Sequence, residues 1–212
     1  AIRLCLDRTE VFLTQLRAIL RASAFGNIKI MVPMIVNVEE LIKARQLLEE
    51  AKASLKAENL EYNPDIPFGI MIETPAAVLL SDKLAEEVDF FSIGSNDLIQ
   101  YTTATDRMNE TIQWLYDCCN ISVLRSIKMV CDNAKKNGVQ VGICGEDASN
   151  SMLVPIWVAM GVDELSMVPS RVGRVKYIIN HIAKSELENM LEEILNENKI
   201  ENVKRKLKLM EN

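Results

Sequence analysis

The sequence is nearly without histidine. His181 is the single one in 212 residues, so neither a Ser/His triad nor a phosphohistidine carrier is supported. Cysteine is present but unorganised. Cys5, Cys118, Cys119, Cys131 and Cys144 are odd in number and include no Cys-x-x-Cys pair, which argues against a disulfide frame or a zinc site and predicts reduced thiols in a cytoplasmic protein. No apolar run reaches membrane-spanning length, and no signal peptide opens the chain. Positive charge is not in excess either: the formal charge is −6 and the pI about 5.0. That argues against a general nucleic-acid binder, which needs a basic face for phosphate backbones. A small anionic ligand held by a few local cations stays open. No low-complexity segment is present, and nothing predicts disorder.

What is there is a well-patterned globular chain, 49% hydrophobic and 25% charged, enough for a substantial core in one domain, or two small ones at most. It enters at Ala1 directly on an apolar alternation of Ile2, Leu4 and Leu6, as expected of a piece cut from something longer. Thr9 can cap a helix through Leu13, Leu16, Ile19 and Leu20, with Gly26 past its end. Lys29 to Ile35 is an apolar strand in which Pro33 ends the pairing or marks a bulge. Val38 to about Asn59 is a long helix with Leu41, Ala44, Leu47, Leu48, Ala51 and Leu55 on one face. Phe68 to Ile72 is a second strand with Glu73 at its end, and Pro75 opens a helix to about Glu87. Phe90 to Ile93 is a third strand, leaving through Gly94, with Ser95 or Asn96 as cap of a helix starting near Leu98. Asn109 to Tyr116 and Val123 to Lys136 read as helical, Val139 to Cys144 as a strand, and Leu153 to Met160 as a helix. Glu164 to Val168 is a short fifth strand and Ser170 to Ala183 the helix that follows.

Five rounds of strand, polar strand end and helix predict a parallel α/β sheet with right-handed crossovers. Glu73, Asn96, Asp97, Cys144 and Glu146 then share the carboxyl-end rim, where open α/β sheets and (β/α)8 barrels alike place ligands. A closed barrel needs eight strands and about 250 residues, so the chain is either an open sheet or an incomplete barrel. Residues 1–184 form this unit. Residues 185–212 read as its helical tail: Ser185 begins a capping-box match, Leu187, Met190, Leu191, Ile194 and Leu195 mark one amphipathic helix, and Ile200, Val203, Leu207 and Met210 a second.

On neighbouring strands about 4.8 Å apart, Glu73 and Asp97 can converge. Two carboxylates without histidine suit a hard cation such as Mg²⁺, which completes its shell with water and a substrate phosphate. Arg107 could contact that phosphate through a bidentate pair and Asn96 could add neutral donors. Cys144, between a strand and Gly145, could act as nucleophile or proton donor, or be simply a small buried hydrophobe.

Several segments carry a resemblance: Ile-Met-Ile-Glu-Thr-Pro-Ala-Ala at 70–77, Phe-Phe-Ser-Ile-Gly-Ser-Asn-Asp-Leu-Ile-Gln-Tyr at 90–101, Asp-Arg-Met-Asn-Glu at 106–110 and Val-Gly-Ile-Cys-Gly-Glu at 141–146. With Leu16 to Gly26 and Met-Val-Pro-Met-Ile at 31–35, they resemble the phosphoenolpyruvate-binding domain of enzyme I of the bacterial sugar phosphotransferase system. The resemblance implies a (β/α)8 TIM-barrel family fold, here incomplete with about five strands. It further implies a homodimer, a Mg²⁺ cofactor, and phosphoryl transfer from phosphoenolpyruvate to a histidine on an N-terminal domain. From there the group passes to a histidine-containing phosphocarrier protein for sugar uptake. By motif, Glu73 and Asp97 resemble the metal ligands, Asn96, Asp97 and Arg107 the substrate contacts, and Cys144 the acid that protonates the enolate of pyruvate.

The chain departs from the family pattern in places. The family's early strands, its Arg-Thr-Leu-Asp-Ile-Gly-Gly-Asp-Lys segment and its histidine domain are absent, so these residues alone are expected to be inactive. Asn120-Ile121 stands where the family has His-Pro, and Glu146-Asp147-Ala-Ser-Asn150 where it has Glu-Met-Ala-Gly-Asp. A pyruvate,phosphate dikinase or phosphoenolpyruvate synthase shares the Glu, Asn-Asp and Cys-Gly-Glu motifs, although segment 1–35 and Asp-Arg-Met-Asn-Glu fit enzyme I better. A non-catalytic dimerisation or binding module is the third reading.

Overall fold

The structure, a computed structural model, describes residues 1–208, apart from the side chains of residues 184–186. Five strands, β1 (Ile30–Val32), β2 (Phe68–Ile72), β3 (Phe90–Gly94), β4 (Gln140–Cys144) and β5 (Glu164–Leu165), form one sheet in the order β1-β2-β3-β4-β5. Every pairing is parallel. Strand order that simply follows the sequence is the progression of a barrel, whereas a doubly wound sheet reverses order at a switch point. The chain therefore has the α/β fold of the (β/α)8 family, as five strands of an incomplete barrel.

The register explains which face is buried. Val32, Ile70, Phe91 and Val141 lie level across four strands, as do Ile72, Ile93 and Ile143 across three. Ile70, Ile72, Ile93 and Ile143 are each 0% exposed, and burial of such a side chain stabilises the fold by about 1.5–3 kcal/mol. The alternate residues, among them Met31, Ser92, Gly142, Cys144 and Glu164, line a concavity of about 440 Å³ on the opposite face. That face stands open in this chain, and the outer edges of β1 and β5 have no strand beside them among the described residues.

Helices cover the apolar face. They are α1 (Ile2–Asp7), α2 (Thr9–Ala22), α3 (Val38–Ala57), α4 (Pro75–Leu79), α5 (Ser81–Leu84), α6 (Ser95–Thr103), α7 (Ile121–Asn137), α8 (Val154–Met160), α9 (Pro169–His181), α10 (Lys184–Leu195) and α11 (Ile200–Lys208). Helix α3 begins where Asn37 Oδ1 accepts the Glu40 N–H at 2.8 Å and Glu40 Oε2 reaches back to the Val36 N–H at 2.8 Å, a reciprocal cap. Helix α7 is capped by Asn120 and stops at Gly138, whose φ of +70° suits a residue without Cβ.

Several expectations are corrected. The opening alternation is a short helix, α1, with Ile2 buried and Leu4 outward. Thr9 starts α2 without capping it. The helix from Pro75 breaks at Leu80 into α4, α5 and a 3-10 turn, because the fully buried Ser81 hydroxyl donates to the Val78 carbonyl and accepts from Asn133 Nδ2. Segment 109–116 is a loop with one 3-10 turn, Gln113–Leu115. Asp106 and Asn109 spend their side-chain oxygens on the N–H groups two residues on, which competes with a helix. Strand β5 ends at Leu165, short of Val168. The capping role read for Ser185 and the core position read for Met210 lie outside the described residues.

Candidate functional site

Strands β2, β3 and β4 end level with one another, Ile72 opposite Ile93 and Gly94 opposite Cys144. The residues that follow therefore reach one rim. Glu73, directly after β2, is only 3% exposed. Its Oε1 accepts the Met34 N–H at 2.7 Å, offered by a loop in which Met34 takes a left-handed φ of 60°. Burial pushes the Glu73 carboxyl up from its ordinary range, the Met34 N–H opposes this, and the neighbouring Asp97 charge adds to the rise. The two carboxylates thus meet across the β2–β3 junction, as the sequence predicts. Gly94 makes room for them, since a Cβ there would lie 2.8 Å from Met71 Sδ and 3.1 Å from Glu73 Oε2.

Asp97 and Asn96 lie in the first turn of α6, which starts at Ser95, earlier than the sequence reading placed it. Neither Ser95 nor Asn96 caps this helix. Ser95 Oγ donates instead to the Cys144 carbonyl at 2.8 Å, and Asn96 Oδ1 accepts the Glu146 N–H at 3.3 Å. Both bonds tie α6 to the loop after β4. Gly145 is indispensable to that contact: its φ is +97°, and a Cβ would stand 2.5 Å from Ser95 Oγ and 2.8 Å from Asn96 Oδ1.

Cys144 is half-buried on the open face of the sheet. Its thiol donates to the Ile93 carbonyl at 3.5 Å and accepts from the Ser92 hydroxyl at 3.7 Å. Cys118, Cys119 and Cys131 are buried. Burial pushes Cys119 and Cys131 up to about 12 and raises Cys118 as well.

Arg107 stands on the exposed loop after α6, its N–H on Gln100 Oε1 at 3.2 Å. Its guanidinium lies beside the Tyr116 phenol, and Tyr116 Oη donates to the Asn96 carbonyl at 3.1 Å. Arg107 thus reaches the rim through a residue that the sequence reading left on a helix. Asp147, noted in the sequence only as a departure from the family pattern, is held up from the usual carboxylate range by burial, while its bonds with Cys118 and Asn150 act against this. Its carbonyl accepts the indole N–H of Trp157 at 3.0 Å.

Chemically, a buried and a half-buried carboxylate beside an amide side chain, a thiol and a loop arginine can hold a hard divalent cation and an anionic ligand. No group of three or more His, Cys, Asp and Glu residues with metal-holding geometry occurs among the described residues. A cation held by Glu73 and Asp97 would take the rest of its shell from water and ligand oxygens, an arrangement Mg²⁺ accepts.

Comparisons with known proteins bear on the chain as a whole. The family described as "PEP-utilising enzyme, PEP-binding domain" matches residues 1–184. The chain is 50% identical over 203 residues to a phosphoenolpyruvate-protein phosphotransferase of Listeria monocytogenes, covering 96% of this chain and 36% of that protein. It is 46% identical over 203 residues to the same-named protein of Bacillus subtilis, again covering 96% and 36%. The chain thus spans about a third of the length of these relatives. A citrate lyase from Burkholderia xenovorans superposes with a TM-score of 0.58 at 15% identity, over 94% of this chain and 67% of that one, a likeness of fold alone.

Proposed function

Because the chain belongs to the PEP-binding domain family of PEP-utilising enzymes, we propose that it is the phosphoenolpyruvate- and Mg²⁺-binding part of a phosphotransferase. That enzyme moves the phosphoryl group of phosphoenolpyruvate to a protein histidine and leaves pyruvate. The observation that carries the reading is the buried Glu73 carboxylate meeting the half-buried Asp97, beside Asn96 and the end of β4 at Cys144. Two long relatives named for this reaction add support.

Each residue has a role that follows from its chemistry. Glu73 and Asp97 would hold the metal, which when bound neutralises charge on the phosphate. Asn96 offers its side-chain amide and Arg107 its guanidinium to the phosphoryl oxygens. Phosphoryl transfer passes through a loose transition state in which such positioning and charge stabilisation supply most of the rate. The ester P–O bond breaks as the N–P bond to the histidine forms, and the electron pair stays on the enolate of pyruvate. Cys144 then gives its thiol proton to the terminal carbon, completing pyruvate. The histidine belongs to an N-terminal domain of the longer protein, which hands the group to a histidine-containing phosphocarrier for sugar uptake. We place this chemistry in the cytoplasm, in a homodimer, and expect residues 1–212 alone to be inactive.

The test is phosphoryl transfer from labelled phosphoenolpyruvate to a histidine-containing carrier protein by the full-length protein with Mg²⁺. Arg107→Ala is expected to lower kcat/KM by about a thousandfold, and Cys144→Ala to slow turnover by about a hundredfold or more. A strict nucleotide requirement would assign the chain to the dikinase and synthase branch instead.

A further inference from the structure

Tyr116 occupies a position that the proposed mechanism does not use. It follows the 3-10 turn Gln113–Leu115 and sends its hydroxyl across 20 residues of sequence to the Asn96 carbonyl, at 3.1 Å. That carbonyl lies in the first turn of α6, the turn that also carries Asp97. On its other side the phenol meets the Arg107 guanidinium. One hydroxyl therefore stands between the two groups assigned to the phosphate, one on a helix and one on an exposed loop.

The turn that carries Tyr116 is itself anchored. Asp117 pairs with Lys204 of α11, and its Oδ1 accepts the Cys119 N–H at 2.9 Å. Burial and the nearby Asp147 charge hold the phenol's ionisation above its ordinary range, with Arg107 acting the other way, so the hydroxyl remains a donor at neutral pH.

We infer that Tyr116 is a positioning residue, which sets the spacing between Asn96 and Arg107 and so shapes the cradle for the phosphoryl group. The inference rests on the proposed function. It accounts for how an arginine on an exposed loop can hold a defined place at the rim: a side chain there loses considerable freedom when it binds, and a fixed neighbour reduces that loss.

In the full-length protein, Tyr116→Phe keeps the ring and removes one hydroxyl. It is expected to raise the KM for phosphoenolpyruvate and to lower kcat/KM about tenfold, with the melting temperature unchanged. Because the residue acts through Arg107, the same substitution made in an Arg107→Ala background is expected to cost less than about twofold. Equal losses in both backgrounds mark a merely structural role and overturn the inference, whether or not the melting temperature falls. It is also overturned by a fully active Tyr116→Phe in an enzyme that Asn96→Ala and Arg107→Ala impair, and the proposed function then survives. Absence of phosphoenolpyruvate turnover in the wild type overturns both.

Discussion

Glu73 keeps a carboxylate at 3% exposure, with the Met34 N–H as its donor and Asp97 as a neighbour of like charge. Such a group costs stability, which is consistent with the metal-binding role proposed for it. Glu73→Gln keeps an acceptor for Met34 and removes the buried charge, so it is expected to stabilise the metal-free protein at neutral pH by about 1 kcal/mol in urea unfolding. On the proposed function Mg²⁺ stabilises the wild type and the same variant loses that effect; an undiminished metal effect would remove Glu73 from the site. Asp147 gives a pH signature. Its folded-state carboxyl is raised, so over the window above the usual aspartate range the native state binds a proton that the unfolded state lacks. Stability must then fall as pH rises through that window. Unfolding of wild type against Asp147→Asn across pH should show the wild type losing ground with rising pH, and a difference of the opposite sign would refute this. The thiols divide similarly. With Cys118, Cys119 and Cys131 buried and raised, an alkylating reagent at neutral pH is expected to label the half-buried Cys5 and Cys144 first. Peptide mapping that found Cys131 modified as fast as Cys144 would contradict that order. The shared rim position of Glu73, Asn96, Asp97 and Cys144 is legible in the sequence, because Glu73 follows a strand, Cys144 ends one, and Asn96 and Asp97 open the helix that comes straight after a third. Tyr116 and the Met34 N–H are not, because their parts depend on loops closing over 20 and 39 residues of chain.

At the scale of elements, helices with a continuous apolar stripe are read nearly to the residue. Helix α3 ends at Ala57 against an expected Asn59, and α7 runs Ile121–Asn137 against Val123 to Lys136. Short segments rich in Asp, Asn and Ser are misread, since the side-chain bonds that break α4 from α5 and unwind 109–116 carry no periodic mark. The tail helices are structural members. Ile194 and Leu207 are 0% exposed, Arg125 holds the Leu195 carbonyl at the end of α10 through Nε at 2.8 Å, and Lys206 bridges Glu193 and Glu197. Ile194→Ala is therefore expected to cost about 3 kcal/mol in urea unfolding. A cost under about 0.5 kcal/mol, the range of surface substitutions, would show that the tail only rests on the domain.

For the whole molecule, the sequence gives the strand–helix rhythm but leaves an open sheet and a barrel segment equally allowed. Only the pairing order decides, because order is a property of contacts between strands far apart in sequence. Among the described residues the sequential parallel order leaves one face open and two edges bare, and exposed edges invite pairing. The 212-residue chain in isolation is expected to associate, with a sedimentation mass that rises with concentration; a monomer at high concentration would count against this. The two tryptophans sit at opposite extremes, Trp157 at 0% exposure with its indole on the Asp147 carbonyl and Trp114 at 76%. The protein thereby carries its own optical gauge. With Trp114 changed to Phe, the remaining emitter is wired to the loop that follows β4, and the colour of its fluorescence tells whether that loop keeps its hold on the indole or has let water in.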